Sequence, residues 1–218
     1  MSNRETEVKF RVADVRATRR RLRQLGFRLT HRRCLEDNTL FDTPGRSLRK
    51  VRSVLRLRRY GQQWMMTFKG TPAADSFYKT RLEFESLVER PQAVRAIFEH
   101  LGFSPVFRYQ KYRTRYAPAE EPVRPKTHRE AALDETPIGA FLELEGSRAW
   151  IDSIARQLGY TRSDYNTFSY GALYLEECRK KNIPPGDMVF SIHSGRKATN
   201  SRVRRPRGAA RGRSGLSG

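Results

Sequence analysis

The chain has 218 residues, with 44 Lys and Arg against 23 Asp and Glu and a formal charge of +21 at neutral pH. That excess points to anionic partners (phosphates, nucleic acid or an acidic surface), and 37% hydrophobic residues with 12 Phe and 9 Tyr suffice for one core. Two cysteines, Cys34 and Cys178, exclude a disulfide framework, no Cys/His spacing suggests zinc, and no apolar run could cross a bilayer or form a signal-peptide core, so a cytoplasmic protein without a membrane partner is expected.

Residues 4–12 alternate and read as a strand. ADVRATRRRLRQLGF reads as a helix, with Val15, Leu22 and Leu25 on one face and Gly26 as its stop. SVLRLRRY and QQWMMTFKG alternate around a Tyr-Gly pair that suits a tight hairpin, and YKTRLEFESLV alternates again. PQAVRAIFEHLGF is a second helix, opened by Pro91 and closed by Gly102. VFRYQKYRTRYA reads as a long strand and EEPVRPKTHRE as a polar connection. AALDE and AFLELEG are two more strands about a Pro-Ile-Gly turn. SRAWIDSIARQLGY and YGALYLEECRKK are helical. The tally is about eight strands with a few helices, an α+β pattern dominated by antiparallel hairpins.

After Cys178 the chain carries eleven Lys and Arg against one Asp, so this end alone is strongly basic. Residues 1–183 are expected to form the folded domain and 184–218 a basic, largely disordered tail. Within that tail GDMVFSIH has enough apolar residues to dock on the body.

The strands share an unusual habit. In an extended segment alternate side chains share a face. Glu5, Glu7 and Lys9 then point one way, as do Arg56 and Arg58, then Met65, Thr67 and Lys69, then Arg81, Glu83 and Glu85. Lys111, Arg113 and Arg115 follow the same rule, as do Glu143 and Glu145, with Leu or Phe opposite in most cases. Six strands with one ionic and one apolar face fit an open sheet with a solvated side, or a closed barrel with a charged interior and helices outside. Solvated faces ordinarily mix in Ser, Thr and Gln, whereas these positions are nearly all fully charged, which favours the barrel. Charges inside a narrow barrel are costly unless a ligand or metal compensates them. The glutamates and Asp134 offer hard oxygen ligands for Mg²⁺ or Mn²⁺, and the Arg and Lys residues offer donors for a phosphate chain. No P-loop and no glycine-rich dinucleotide fingerprint is present.

These segments, taken in order, resemble a known family. ETEVKF looks like the ExExK signature of the CYTH domain, or triphosphate tunnel metalloenzymes, a group that includes class IV adenylyl cyclases, thiamine triphosphatases and inorganic triphosphatases. DNTLFDT, LRLR, TFKG, RLEFE, KYR and LDETPIGAFLELEG resemble its later motifs in order over residues 4–178. The resemblance implies an eight-stranded antiparallel tunnel with flanking helices. It implies Glu5, Glu7, Glu143 and Glu145 as metal ligands for Mg²⁺ or Mn²⁺, with Glu83, Glu85 and Asp134 in support. Lys9, Arg56, Arg58, Lys69, Arg81, Lys111 and Arg113 would bind the triphosphate, with Lys69 and Lys9 as catalytic candidates. One departure is Phe41, where some family hydrolases place a tyrosine that helps activate water; a phenyl ring transfers no proton. FSYGALYLEECRK resembles the C-terminal helix of the cyclase-like branch, and its Tyr170 either approaches the substrate or packs the helix on the barrel.

The expectation is therefore a metal-dependent enzyme acting on a triphosphate-containing substrate, either as a hydrolase or as an ATP cyclase. The alternative is a non-catalytic module for phosphate, polyphosphate or nucleic acid, with weak contacts through the basic tail. Paired carboxylates repel phosphate without a metal, so they favour the enzyme.

Overall fold

In the computed structural model, residues 4–75, 77–119 and 128–191 are described. Eight strands close into a barrel: β1 (Arg4–Val12), β2 (Phe27–Asp42), β3 (Val54–Tyr60), β4 (Gln63–Lys69), β5 (Lys79–Val88), β6 (Ser104–Pro118), β7 (Glu130–Thr136) and β8 (Gly139–Glu145). Around the barrel the order is β1, β5, β4, β3, β2, β6, β7, β8, and every neighbouring pair is antiparallel. The hairpin between β3 and β4 turns at Gly61, whose φ of +59° suits a residue without a Cβ.

Five helices accompany the barrel: α1 (Val15–Gln24), α2 (Ser47–Lys50), α3 (Pro91–His100), α4 (Arg148–Gln157) and α5 (Tyr170–Lys181). The Asp14 side chain caps α1 by accepting from the Arg16 and Ala17 amides at 2.7 and 3.0 Å. Ser147 and Ser169 cap α4 and α5 in the same way.

Two of the three apolar clusters lie outside the barrel, between its wall and the helices, and the third lies on the inward face, where Tyr109 and Phe141 share strand faces with Lys111 and Glu143. Val8, Phe10 and Val12 of β1 pack with Leu133, Leu142 and Leu144 of the neighbouring strands against Leu22 of α1 and Ile151 and Ala155 of α4. Phe10 is fully buried and stacks on Tyr160 at 4.5 Å, so Phe10→Ala would cost about 3–5 kcal/mol. A second cluster joins Phe41 and Leu57 to Phe98 of α3. A third, Tyr109, Phe141, Tyr170, Leu173 and Met188, seats α5 on the barrel. With the outer faces used in this way, the ionic faces are left to line the inside.

Two features differ from the sequence reading. Residues 27–42, given no element there beyond their motif, form the longest strand, whose register shifts between Leu29, His31 and Cys34 and again at Leu40/Phe41. Its first half is exposed on both sides from Arg28 to Arg33, so it shows no alternation. The segment at 187–190 docks: Met188 is buried and bridges Tyr109, and its backbone exchanges hydrogen bonds with Arg108 and Gln110 at 3.0 and 2.8 Å. The polar connection at 120–127 and the tail beyond residue 191 lie outside the described residues. No helix among the described residues is long and apolar enough to cross a membrane.

Candidate active site

The barrel encloses a cavity of about 320 Å³, at the small end of ligand sites, which run roughly 300–1,000 Å³. Nine Lys and Arg and seven Glu side chains line it, so its wall is nearly balanced in charge and every ion in it has a candidate partner. All the residues expected at the site line this cavity except Asp134, which points inward from β7 but is fully buried beneath Lys111, Arg113 and Tyr170.

One group of ions gathers at Glu5. Lys69 Nζ on β4 lies 2.7 Å from Glu5 Oε2 on β1 and 2.6 Å from Glu83 Oε2 on β5. Burial opposes the charge of Lys69, but Glu5, Glu7 and Glu83 outweigh it and hold its pKa above the ordinary value. Two carboxylates facing one ammonium keep a proton between them: burial and the hydrogen bond with Glu5 push Glu83 up to about 8, while Glu5 stays low. Burial and the charges of Glu5 and Glu130 push Glu145 up to about 9; its nearest basic side chain is His128, 3.7 Å away. Glu7 meets Lys79 at 3.0 Å and Arg81 at 3.9 Å. Burial drags Lys79 down to about 8 despite Glu7.

A second group surrounds Asp134 of β7. Arg113 of β6 donates to both its oxygens at 2.7 and 2.6 Å, Lys111 at 2.9 Å and the Tyr170 hydroxyl at 2.6 Å. Arg113 also pairs with Glu143 of β8, which accepts from Lys9 at 2.6 Å. Burial opposes ionisation of Glu143, but Lys9, Arg113 and Lys111 hold its pKa well below the carboxylate range. Lys9 is raised in turn, because Glu143 and Glu7 outweigh its burial. The third group is on β3 to β5, where Arg56 and Arg58 meet Glu85 at 3.2 and 2.9 Å and Thr67 donates to it at 2.8 Å. The Nε atoms of Arg56 and Arg81 are buried without a hydrogen-bond partner among the described residues.

Among the described residues no three His, Cys, Asp or Glu side chains converge in the geometry of a metal site. The physical reason is local: the lining carboxylates are drawn onto lysine and arginine, and Lys69 occupies the place between Glu5 and Glu83 that a cation would take. The donor set, all carboxylate oxygen, still fits a hard divalent ion, whose charge would offset the burial and the neighbouring carboxylates that raise Glu83 and Glu145.

Phe41 faces away from the cavity and packs edge-on against Phe98 at 5.1 Å. Tyr109 and Tyr170 line the cavity instead, with the Tyr170 hydroxyl donating to Asp134 and that of Tyr109 accepting from Arg56 at 3.4 Å. Tyr170 both packs α5 and points inward, with Lys9 and Lys111 Nζ 4.6 and 5.0 Å from its ring centre. Sequence reasoning did not single out Lys79, Glu130, His128 or Glu36 as site residues, and Arg115 was placed on the charged face only. Lys79 lies two residues before Arg81 and Glu130 four before Asp134, so the period-two rule extends to both. Glu36 went unseen with its strand.

Comparison with known proteins agrees with this architecture. The CYTH domain model matches residues 3–162, and the chain belongs to the CYTH family. It is 33% identical over 144 residues to a candidate adenylate cyclase of Methanocaldococcus jannaschii, covering 66% of this chain and 77% of that one. A candidate adenylate cyclase from Vibrio parahaemolyticus has the same fold, with a TM-score of 0.68 at 19% identity over 79% of this chain and 98% of that one. A candidate adenylyl cyclase from Hippeastrum, described as having a dominant triphosphatase activity, superposes with a TM-score of 0.57 at 19% identity, covering 79% of this chain and 96% of that one.

Proposed function

We propose that the protein is a metal-dependent enzyme that hydrolyses a triphosphate inside the barrel. The observation that carries this reading is the lining itself: nine basic side chains around a cavity of about 320 Å³, interspersed with seven glutamates. A cavity of that size suits a short phosphate chain gripped along its length, and Arg56, Arg58, Arg81, Lys111 and Arg113 are the residues to grip it.

Glu5, Glu7, Glu83 and Glu145 would hold a divalent cation such as Mg²⁺ or Mn²⁺, which when bound neutralises phosphate oxygens and acidifies water. The chain's own part follows from the pKa directions. Lys69 and Lys9 are held as ammonium ions by their carboxylates, which suits them to stabilise negative charge rather than to accept a proton. In hydrolysis a water oxygen bonds to the terminal phosphorus, the bridging P–O bond breaks with its electron pair leaving on the diphosphate oxygen, and the water's proton passes to a phosphate oxygen or to solvent. Arginines fixed by ion pairs stabilise both the equatorial and the leaving oxygens, and Lys69 joins them once its carboxylates are taken by another cation.

A second reading, cyclisation of a nucleoside triphosphate, draws on the name of the 33% identical relative and on one part of the cavity. Leu40, Val54, Tyr109 and Tyr170 give the lining an apolar and aromatic sector that a nucleoside could face. Incubation with Mg²⁺ and either tripolyphosphate or ATP, followed by phosphorus NMR, separates the two. Terminal orthophosphate from both substrates supports hydrolysis; cyclic nucleotide with pyrophosphate replaces it by the second reading; no turnover of either removes both.

A further inference from the structure

One carboxylate near the cavity takes no part in its lining. Glu36 of β2 is 0% exposed: it shares the inward face of β2 with Leu40 and stands in register with Lys111, but three cations that line the cavity cover it. Arg58 Nη1 and Arg115 Nη2 lie 3.4 and 3.7 Å from Glu36 Oε1, and Lys111 Nζ lies 3.5 Å from Oε2. None of these contacts is short or bidentate, and Oε2 has no hydrogen-bond partner among the described residues.

Asp134 provides the contrast. It clamps Arg113 through two hydrogen bonds and also holds Lys111 and Tyr170, so it fixes positions. Glu36 acts at longer range on three cations together, through its charge more than through geometry. Arg58 is crowded by further cations: burial and the neighbouring Arg56 depress its pKa, even though Glu36 and Glu85 oppose this. A carboxylate enclosed in this way also differs from the lining glutamates. It is fully buried beneath the cations, so it keeps facing them when an anion arrives, and in a poorly polarisable interior a fixed negative charge is felt at full strength.

We propose that Glu36 is the permanent counter-charge of the phosphate-gripping wall, holding Arg58, Lys111 and Arg115 together in the empty barrel and weakening its grip on triphosphate. The inference rests on the triphosphate reading of the cavity. Glu36 touches no substrate; it sets affinity through its three partners.

Glu36→Gln keeps the shape and removes the charge. Calorimetric titration with tripolyphosphate should show Kd falling about tenfold in Glu36→Gln and staying within about twofold of wild type in Glu36→Asp. Thermal melting of Glu36→Gln should be lowered without ligand, with a larger rise on adding tripolyphosphate than in wild type. A merely structural role would lower melting and weaken binding together, so an unchanged or raised Kd in Glu36→Gln overturns the proposal. If Glu36→Gln does not fold alone, refolding in saturating tripolyphosphate decides: recovery supports the counter-charge role and failure to recover refutes it. Absence of binding by the wild-type protein would be seen first, and would remove the triphosphate reading along with this one.

Discussion

Lys69 on β4 reaches across β5 to Glu5 on β1, 2.7 Å away, and meets Glu83 on the strand between them at 2.6 Å. Three strands are thereby tied by one ammonium, and two carboxylates suited to a divalent ion are occupied by a side chain. Lys69 can turn to a phosphate only when those carboxylates take another cation. Binding of Mg²⁺ and of tripolyphosphate should therefore reinforce one another, each raising the affinity of the other about tenfold, by the same factor in both directions. Titrating each ligand with and without the other measures the factor, and strictly additive binding would refute the exchange of partners.

The acidity of Glu83 and Glu145 gives a pH dependence with a definite sign. Their pKa values in the fold, about 8 and about 9, lie above the unfolded value of 4.5. The folded state thus holds protons that the unfolded state has lost, and the stability they contribute is fully present below pH 4.5 and lost as pH rises toward 9. Lys79, depressed to about 8 from 10.5, has the opposite slope above pH 8. The urea midpoint of the metal-free protein should decline between pH 6 and 8, with a smaller decline when Mg²⁺ is present; a midpoint rising over that interval contradicts the assignment.

Asp134 is the keystone of the buried network. Asp134→Ala leaves Arg113 and Lys111, both largely buried, without their main anion, and should cost about 3–5 kcal/mol in chemical denaturation. A loss below about 1 kcal/mol would mean that the neighbouring carboxylates take over.

Phe41 offers a test of the departure from the family pattern. Because position 41 faces Phe98 and not the cavity, Phe41→Tyr should place a hydroxyl among apolar rings and cost about 1–3 kcal/mol without changing turnover. A gain in kcat from this substitution would show that the position communicates with the reacting groups after all.

The ionic lining was legible because strands impose a strict period of two, and Glu5, Arg56, Lys69, Arg81, Lys111 and Glu143 all obey it. The apolar partners of these residues, Val8, Leu57 and Leu142, are buried under helices, which makes both faces of each strand informative. What stayed hidden follows from where the rule breaks. In β2 the bulges near His31 and the exposure of Arg28 to Arg33 erase alternation, so Glu36 was lost with its strand. Sequence position also says nothing about depth: Asp134 and Glu143 both point into the barrel, yet Asp134 is covered by Lys111, Arg113 and Tyr170 while Glu143 lines the cavity.

The central claim is that the barrel grips a triphosphate through its own cations, and Arg81 tests it most directly. Its guanidinium lines the cavity, its Nε has no hydrogen-bond partner among the described residues, and its nearest carboxylate is Glu7 at 3.9 Å. Removing it therefore strands no tightly paired anion. Calorimetry should show tripolyphosphate binding to the wild type, and Arg81→Gln losing about tenfold or more in affinity with an unchanged melting temperature. Equal affinity in the two proteins, or no binding to either, would contradict the account.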